Sequence, residues 1–277
     1  MKVWVKALLL LVSSGFANAT EVVLEGKLTQ GSLLRGQAPE GAQVWFNDTP
    51  LKVASDGRFV FGIGRDAELR HQLTVAFAGS KTSIPLVFSR REYDIQSITG
   101  VAQKYVEPPA SVTARIANDN RIVRQARTVV SDHSAIFATP VRPAEGRISG
   151  VYGSQRIFNG QPRNPHFGLD IAAPVGAKVI AAWDGKVLLA EDLYFSGLTL
   201  IIDHGHGVTS TYMHLNRFAV KVGDEVRQGQ HIADVGATGR VTGPHLDWRI
   251  NWLQERLDPQ LLLPEFATIP EQRFPLQ

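Results

Sequence analysis

Gly243-Pro244-His245-Leu246-Asp247-Trp248-Arg249-Ile250-Asn251-Trp252 reads as a turn that delivers the chain into a strand running from His245 to Trp252. Side chains alternate across a strand, so His245 and Asp247, two apart, face the same way. Gly243-Pro244 fixes the approach and leaves room beside that pair. Upstream the rhythm repeats. Residues 179–182, 186–190, 198–202 and 209–214 are short strand-like runs, separated by turn signals at Asp184-Gly185, Gly205-His206-Gly207 and Gly223-Asp224. Asp184-Gly185 predicts a hairpin joining the runs on either side of it. Successive short strands without helices between them predict a mainly antiparallel β-sheet, folded over or partly closed.

Two further runs carry the same kinds of side chain: His166-Phe167-Gly168-Leu169-Asp170 and Tyr212-Met213-His214-Leu215. With His245 and Asp247 they bring three histidines and two carboxylates into one strand-rich region. That is the raw material of a metal site with side chains left over to move protons. His166 and Asp170 straddle Gly168 where a loop passes into a strand, and a kink there can turn both onto one ion. His214 sits at a strand end after Tyr212. Isolated surface histidines and aspartates are common, so the signal lies in their joint presence. The other histidines lack it. His71 and His133 have no clustered partners, and His231 follows a turn at Gly229-Gln230. His204 and His206 flank Gly205 and fit a solvent-facing hairpin tip.

At 277 residues the chain is long enough for two domains, and 44% hydrophobic with 20% charged residues describes an ordinary globular protein. Lys2 and Lys6, a short apolar run and Ala17-Asn18-Ala19 read as a cleavable secretory leader over 1–19. The net charge is +3, two of it from those lysines; the remaining +1 argues against nucleic acid as a partner. The apolar run is far shorter than the ~20 residues a spanning helix needs, so no stable membrane insertion is expected. Cysteine is absent, which excludes disulfides and thiolate ligands. Export without cysteine suits a periplasmic or secreted protein. Alternating runs over 20–98 predict a small immunoglobulin-like β-sandwich that serves structure or positioning. Residues 99–142 predict a helical linker. There Ile122, Val123, Ala126, Val129 and Val130 form an apolar stripe, and Arg121, Arg124 and Arg127 lie on a solvated face. Residues 143–265 form the second domain and 266–277 a C-terminal tail.

The motifs of 143–265 resemble the lysostaphin-type zinc peptidases, the M23 or LytM-like family. His166-Phe-Gly-Leu-Asp170, Tyr-Met-His214-Leu and Gly-Pro-His245-Leu-Asp247 occur in the family's order. Tyr152-Gly153, Asp170-Ile-Ala-Ala-Pro174 and Gly223-Asp224-Glu-Val-Arg-Gln-Gly229-Gln also resemble its scaffold. The resemblance implies His166, Asp170 and Asp247 as metal ligands and His214 and His245 as catalytic residues. Asp247 departs from the pattern, which has a histidine there. Aspartate reaches nearly the same point as a histidine Nδ1, and zinc accepts its oxygen. The two-carboxylate set leaves the centre less positive and admits manganese or iron beside zinc. The implied activity is zinc-dependent hydrolysis of peptide cross-links in bacterial peptidoglycan, of D,D type. The implied partners are peptidoglycan and, in an alternative reading, a wall amidase or regulatory protein. In that reading the chain is a catalytically weak or inactive LytM-like factor. A biotinyl-like carrier module is a further alternative, against which stands the lack of a lysine at a hairpin tip.

Overall fold

A computed structural model of the chain describes residues 21–98, 110–158, 160–162 and 164–276; the expected leader lies outside them. The protein is mainly β, as the sequence predicts. Its largest sheet has ten strands. The central run is Gly185–Leu193, Gly197–Gly205, Val208–Phe218, His245–Trp252, Leu169–Ala172 and Arg147–Gly150, each antiparallel to the next. Leu200, Ile201 and Ile202 lie in the middle of it and are fully buried, which explains an apolar run without alternation. A strand spans His245–Trp252, as its alternation indicates, but it is not the last: Glu255–Leu257 and Glu271–Pro275 follow it.

Asp184-Gly185 does not make the expected hairpin. Strand Lys178–Ile180 pairs instead with His231–Val235, and Glu225–Val226 takes the edge of Gly185–Leu193 that the hairpin would have used. Between the two strands Ala181, Ala182 and Trp183 are wholly buried, so the chain crosses from one sheet region to another rather than reversing. A strong local turn signal is overruled here by burial of the residues before it.

The N-terminal part forms two four-stranded sheets. One holds Glu271–Pro275, Glu21–Glu25, Leu33–Gln37 and Arg58–Gly62; the other holds Thr49–Pro50, Gln43–Phe46, Arg70–Phe77 and Ser80–Val87. Phe46 of one stacks on Phe61 of the other with ring centroids 4.4 Å apart. The expected tail therefore contributes a strand, Glu271–Pro275, paired along the whole of Glu21–Glu25. It covers what would otherwise be an open sheet edge.

The linker supplies one α-helix, Thr113–Ala126. Ile122, Val123 and Ala126 pack on Leu188, Leu189, Leu193 and Ile201 of the large sheet, the first part of the stripe the 3.6-residue period predicts. The helix ends at Ala126, so Val129 and Val130 do not continue it, and Val130 is exposed. The arginine row departs from expectation: Arg127, just past the helix, is only 9% exposed. One continuous core joins the N-terminal sheets to the large sheet, running from Val22 and Phe61 through Ile136 to Trp252 and Leu257. Arg65 Nε donates to Gly153 O at 3.0 Å, and Tyr152 OH donates to Arg256 O at 2.7 Å.

Candidate metal centre

Strand register brings the two carboxylates together. Leu169–Ala172 pairs with His245–Trp252 so that Asp170 stands directly opposite Asp247 and Ala172 opposite His245. Opposed residues project to the same face, so the carboxylates and the His245 ring share one side of the sheet. His166 reaches them from the preceding loop. That loop is pinned by His166 N–H to Ser154 O at 2.8 Å and by Gly153 N–H to His166 O at 2.7 Å. One donor atom from each of His166, Asp170 and Asp247 lies within 4.8 Å of the others, a group that could hold a cation. Two glycines make the room. A Cβ on Gly168 would sit 2.2 Å from Asp247 Oδ1, and one on Gly150 would sit 2.3 Å from Asp170 Oδ2.

The donor set fits a divalent ion. His166 Nε2 and Asp170 Oδ1 face each other at 3.2 Å, and each is buried with no hydrogen-bond partner among the described residues. Such orphaned atoms are costly unless something else satisfies them. Burial disfavours a charged His166, but the carboxylates of Asp170 and Asp247 outweigh it and raise its pKa. A site that favours positive charge between two carboxylates suits a cation.

Asp247 has a companion. Arg249 grips it through Nε to Oδ1 at 3.0 Å and Nη2 to Oδ2 at 2.6 Å. Burial works against a charged Asp247, yet Arg249 beside it holds the carboxyl well below the usual range. One guanidinium therefore offsets the negative charge of the second carboxylate beside Asp170. Each carboxylate oxygen keeps lone-pair capacity beyond these bonds. The sequence reading passed over Arg249, although two residues after Asp247 in a strand is the spacing that puts it on the same face.

His214 and His245 stand beside the group, with ring centroids 4.9 Å apart. His214 Nδ1 lies 2.9 Å from Thr238 O and His245 Nδ1 lies 2.8 Å from Gly243 O. A carbonyl only accepts, so both Nδ1 atoms carry the proton and both Nε2 atoms present a lone pair. His245 Nε2 is 3.8 Å from Asp170 Oδ1. Burial lowers the pKa of His214 and keeps its ring neutral near pH 7. His214 lies in a β-bulge: the register against Gly197–Gly205 shifts between Leu198 and Leu200, and φ at His214 is +61°. Bulges re-aim side chains, and here the bulge turns His214 toward His245.

The remaining histidines stand elsewhere. His71 contacts Asn47, His133 faces Glu225 and His231 binds Asp234. His204 and His206 are not at a solvent-facing tip; both are buried. Residues 131–137 cross over their turn, with His206 N–H on Ser131 O and His206 against Phe137. His204 is held by Asp184 O at 2.7 Å and Ser210 Oγ at 2.6 Å.

Residues 164–259 match peptidase family M23. The strand-rich C-terminal part of this chain carries that match. It is similar to peptidoglycan DD-endopeptidase ShyB of Vibrio cholerae, 37% identical over 140 residues, which are 50% of this chain and 32% of that one. DD-carboxypeptidase/endopeptidase Mpg of Neisseria meningitidis is 37% identical over 105 residues, covering 38% of this chain and 23% of that one. The match thus spans about a third or less of these relatives. A solved structure from Pseudomonas aeruginosa assigned to peptidase M23 superposes with a TM-score of 0.68 at 26% identity, covering 87% of this chain and 96% of that one. That coverage takes in the N-terminal sheets as well as the residues that match family M23.

Proposed function

We propose that this chain is an exported zinc metallo-endopeptidase that hydrolyses D,D-type peptide cross-links of bacterial peptidoglycan. The observation that carries the reading is the convergence of His166, Asp170 and Asp247 within 4.8 Å, beside two histidines whose Nε2 lone pairs are free. The relatives named as DD-endopeptidases support the bond type. His166, Asp170 and Asp247 would hold the zinc; the two-carboxylate set also admits manganese or iron. A zinc held there would polarise the scissile carbonyl and acidify an attacking water. His214 and His245 do the proton work. Either Nε2 can take a proton from the water and return it to the leaving amine, or donate it to the developing oxyanion. Asp170 and Arg249 fix the charge around them. Export agrees with a wall substrate, and no helix among the described residues is long and apolar enough to cross a membrane.

The test is incubation of the chain with purified sacculi, with and without chelator, beside His245→Ala. Soluble muropeptides released only by the metal-loaded parent are expected. Equal release by the chelated protein or by the variant would contradict the reading.

A further inference from the structure

Beside the candidate metal centre lies a cavity of about 280 Å³, closed on one side by the helix Thr113–Ala126 and on the other by the sheet. His214 forms part of its wall, so it opens onto the catalytic pair. Its charge is one-sided. Arg127, Arg240, Arg249 and Arg256 line it against a single acid, Asp119, whose carboxylate already accepts the Tyr194 N–H at 2.8 Å. Arg249 is committed to Asp247. Arg256 lies over the Phe167 ring and Arg240 over Phe195, and neither guanidinium has a hydrogen bond among the described residues. Arg127 is buried, and its Nε has no hydrogen-bond partner among the described residues. Thr211 Oγ1 is in the same condition and lines the same cavity.

Burial and the neighbouring Arg249 and Arg256 push Arg127 down to about 9, so its charge is held there at a cost. A buried arginine is tolerated when an acid meets it, and no acid among the described residues pairs with Arg127. The missing partner is an anion. A planar fork of N–H donors with a hydroxyl beside it suits a carboxylate, which arginine binds through two parallel hydrogen bonds.

We propose that this cavity is the substrate's carboxylate subsite: Arg127 and Arg256, with Thr211, bind a free carboxylate of the peptide close to the bond presented to His214 and His245. That the ligand is a peptide rests on the peptidase reading; that it is a carboxylate rests on the cavity alone. The subsite selects acidic peptides over their amidated counterparts. It also assigns a role to the linker, whose helix delivers Arg127 and closes the cavity.

The test uses two synthetic wall peptides identical except that one free carboxylate is replaced by a primary amide. Binding is measured by calorimetry on the full chain kept in chelator, so that nothing is cut and no carboxylate can go to a metal. The acid form is expected to bind about tenfold to a hundredfold more tightly than the amide. Arg127→Gln should abolish that preference, Arg127→Lys should restore part of it, and Thr211→Val should reduce it. Inorganic phosphate is the control anion. Equal affinity of the parent for acid and amide overturns the proposal without any variant having to fold, and so does binding of phosphate as tight as that of the acid peptide. A clear acid preference in a chain that releases no muropeptides when metal-loaded would uphold the subsite and count against the hydrolase reading.

Discussion

Asp247 stands opposite Asp170 at the candidate metal centre, and Arg249 pairs with it. Asp247 is buried and Arg249 half-buried. A fully buried ion pair that loses one partner costs about 3–5 kcal/mol because the other charge is stranded, and the partial exposure of Arg249 brings that down to about 1–3 kcal/mol. Asp247→His would leave Arg249 without its carboxylate. We expect it to lower stability by that order, read as a fall in the urea midpoint; an unchanged midpoint would show that the pair carries nothing. Gly168 is equally constrained, since a methyl there would meet Asp247 Oδ1 at 2.2 Å. Gly168→Ala should displace the carboxylate by a large fraction of an ångström and lower kcat on sacculi by about a hundredfold. Wild-type turnover in that variant would mean that the Asp247 position is not critical.

Single strands carry much of the site, and their legibility in the sequence was uneven. His245–Trp252 could be read because alternation alone fixes which residues share a face, and Asp247 followed from it. Arg249 obeys the same rule, but its role appears only where the fold sets its guanidinium against Asp247. The bulge at His214 left no sequence signal, because the shift depends on pairing with Gly197–Gly205. Arg127 looked like one more exposed arginine on a helix; its burial comes from where that helix docks. His204 was misplaced for a similar reason, as the segment covering it is remote in sequence. Burial depresses its pKa from 6.5 to about 4, and the hydrogen bond to the Asp184 carbonyl and the nearby Asp203 carboxylate offset that only in part. Between those values the unfolded chain takes up a proton there and the folded chain does not. Stability should therefore fall as pH drops from about 6.5 to 4, by up to about 3 kcal/mol. Unfolding free energies at pH 7 and 4.5 check this: His204→Gln should show a shallower slope, and an identical slope would remove His204 as the cause.

At the scale of the whole molecule the N-terminal sheets hold the site rather than merely precede it. Arg65 binds Gly153 O, and the Gly153 N–H binds the carbonyl of His166. The core runs unbroken between the two parts, and the last strand of the chain pairs with the first described one. Residues 143–265 expressed alone should melt well below the full chain and bind zinc more weakly, because the His166 loop loses its brace; equal melting temperatures would make the two parts independent. The whole account depends on three segments meeting at one cation. It is tested most directly by the zinc content of the purified full chain and of Asp247→Ala, measured by elemental analysis after dialysis against dilute zinc. The parent should retain one ion per chain and the variant should lose affinity by at least about tenfold. A parent that takes up no zinc, or a variant that holds it equally well, would contradict the account.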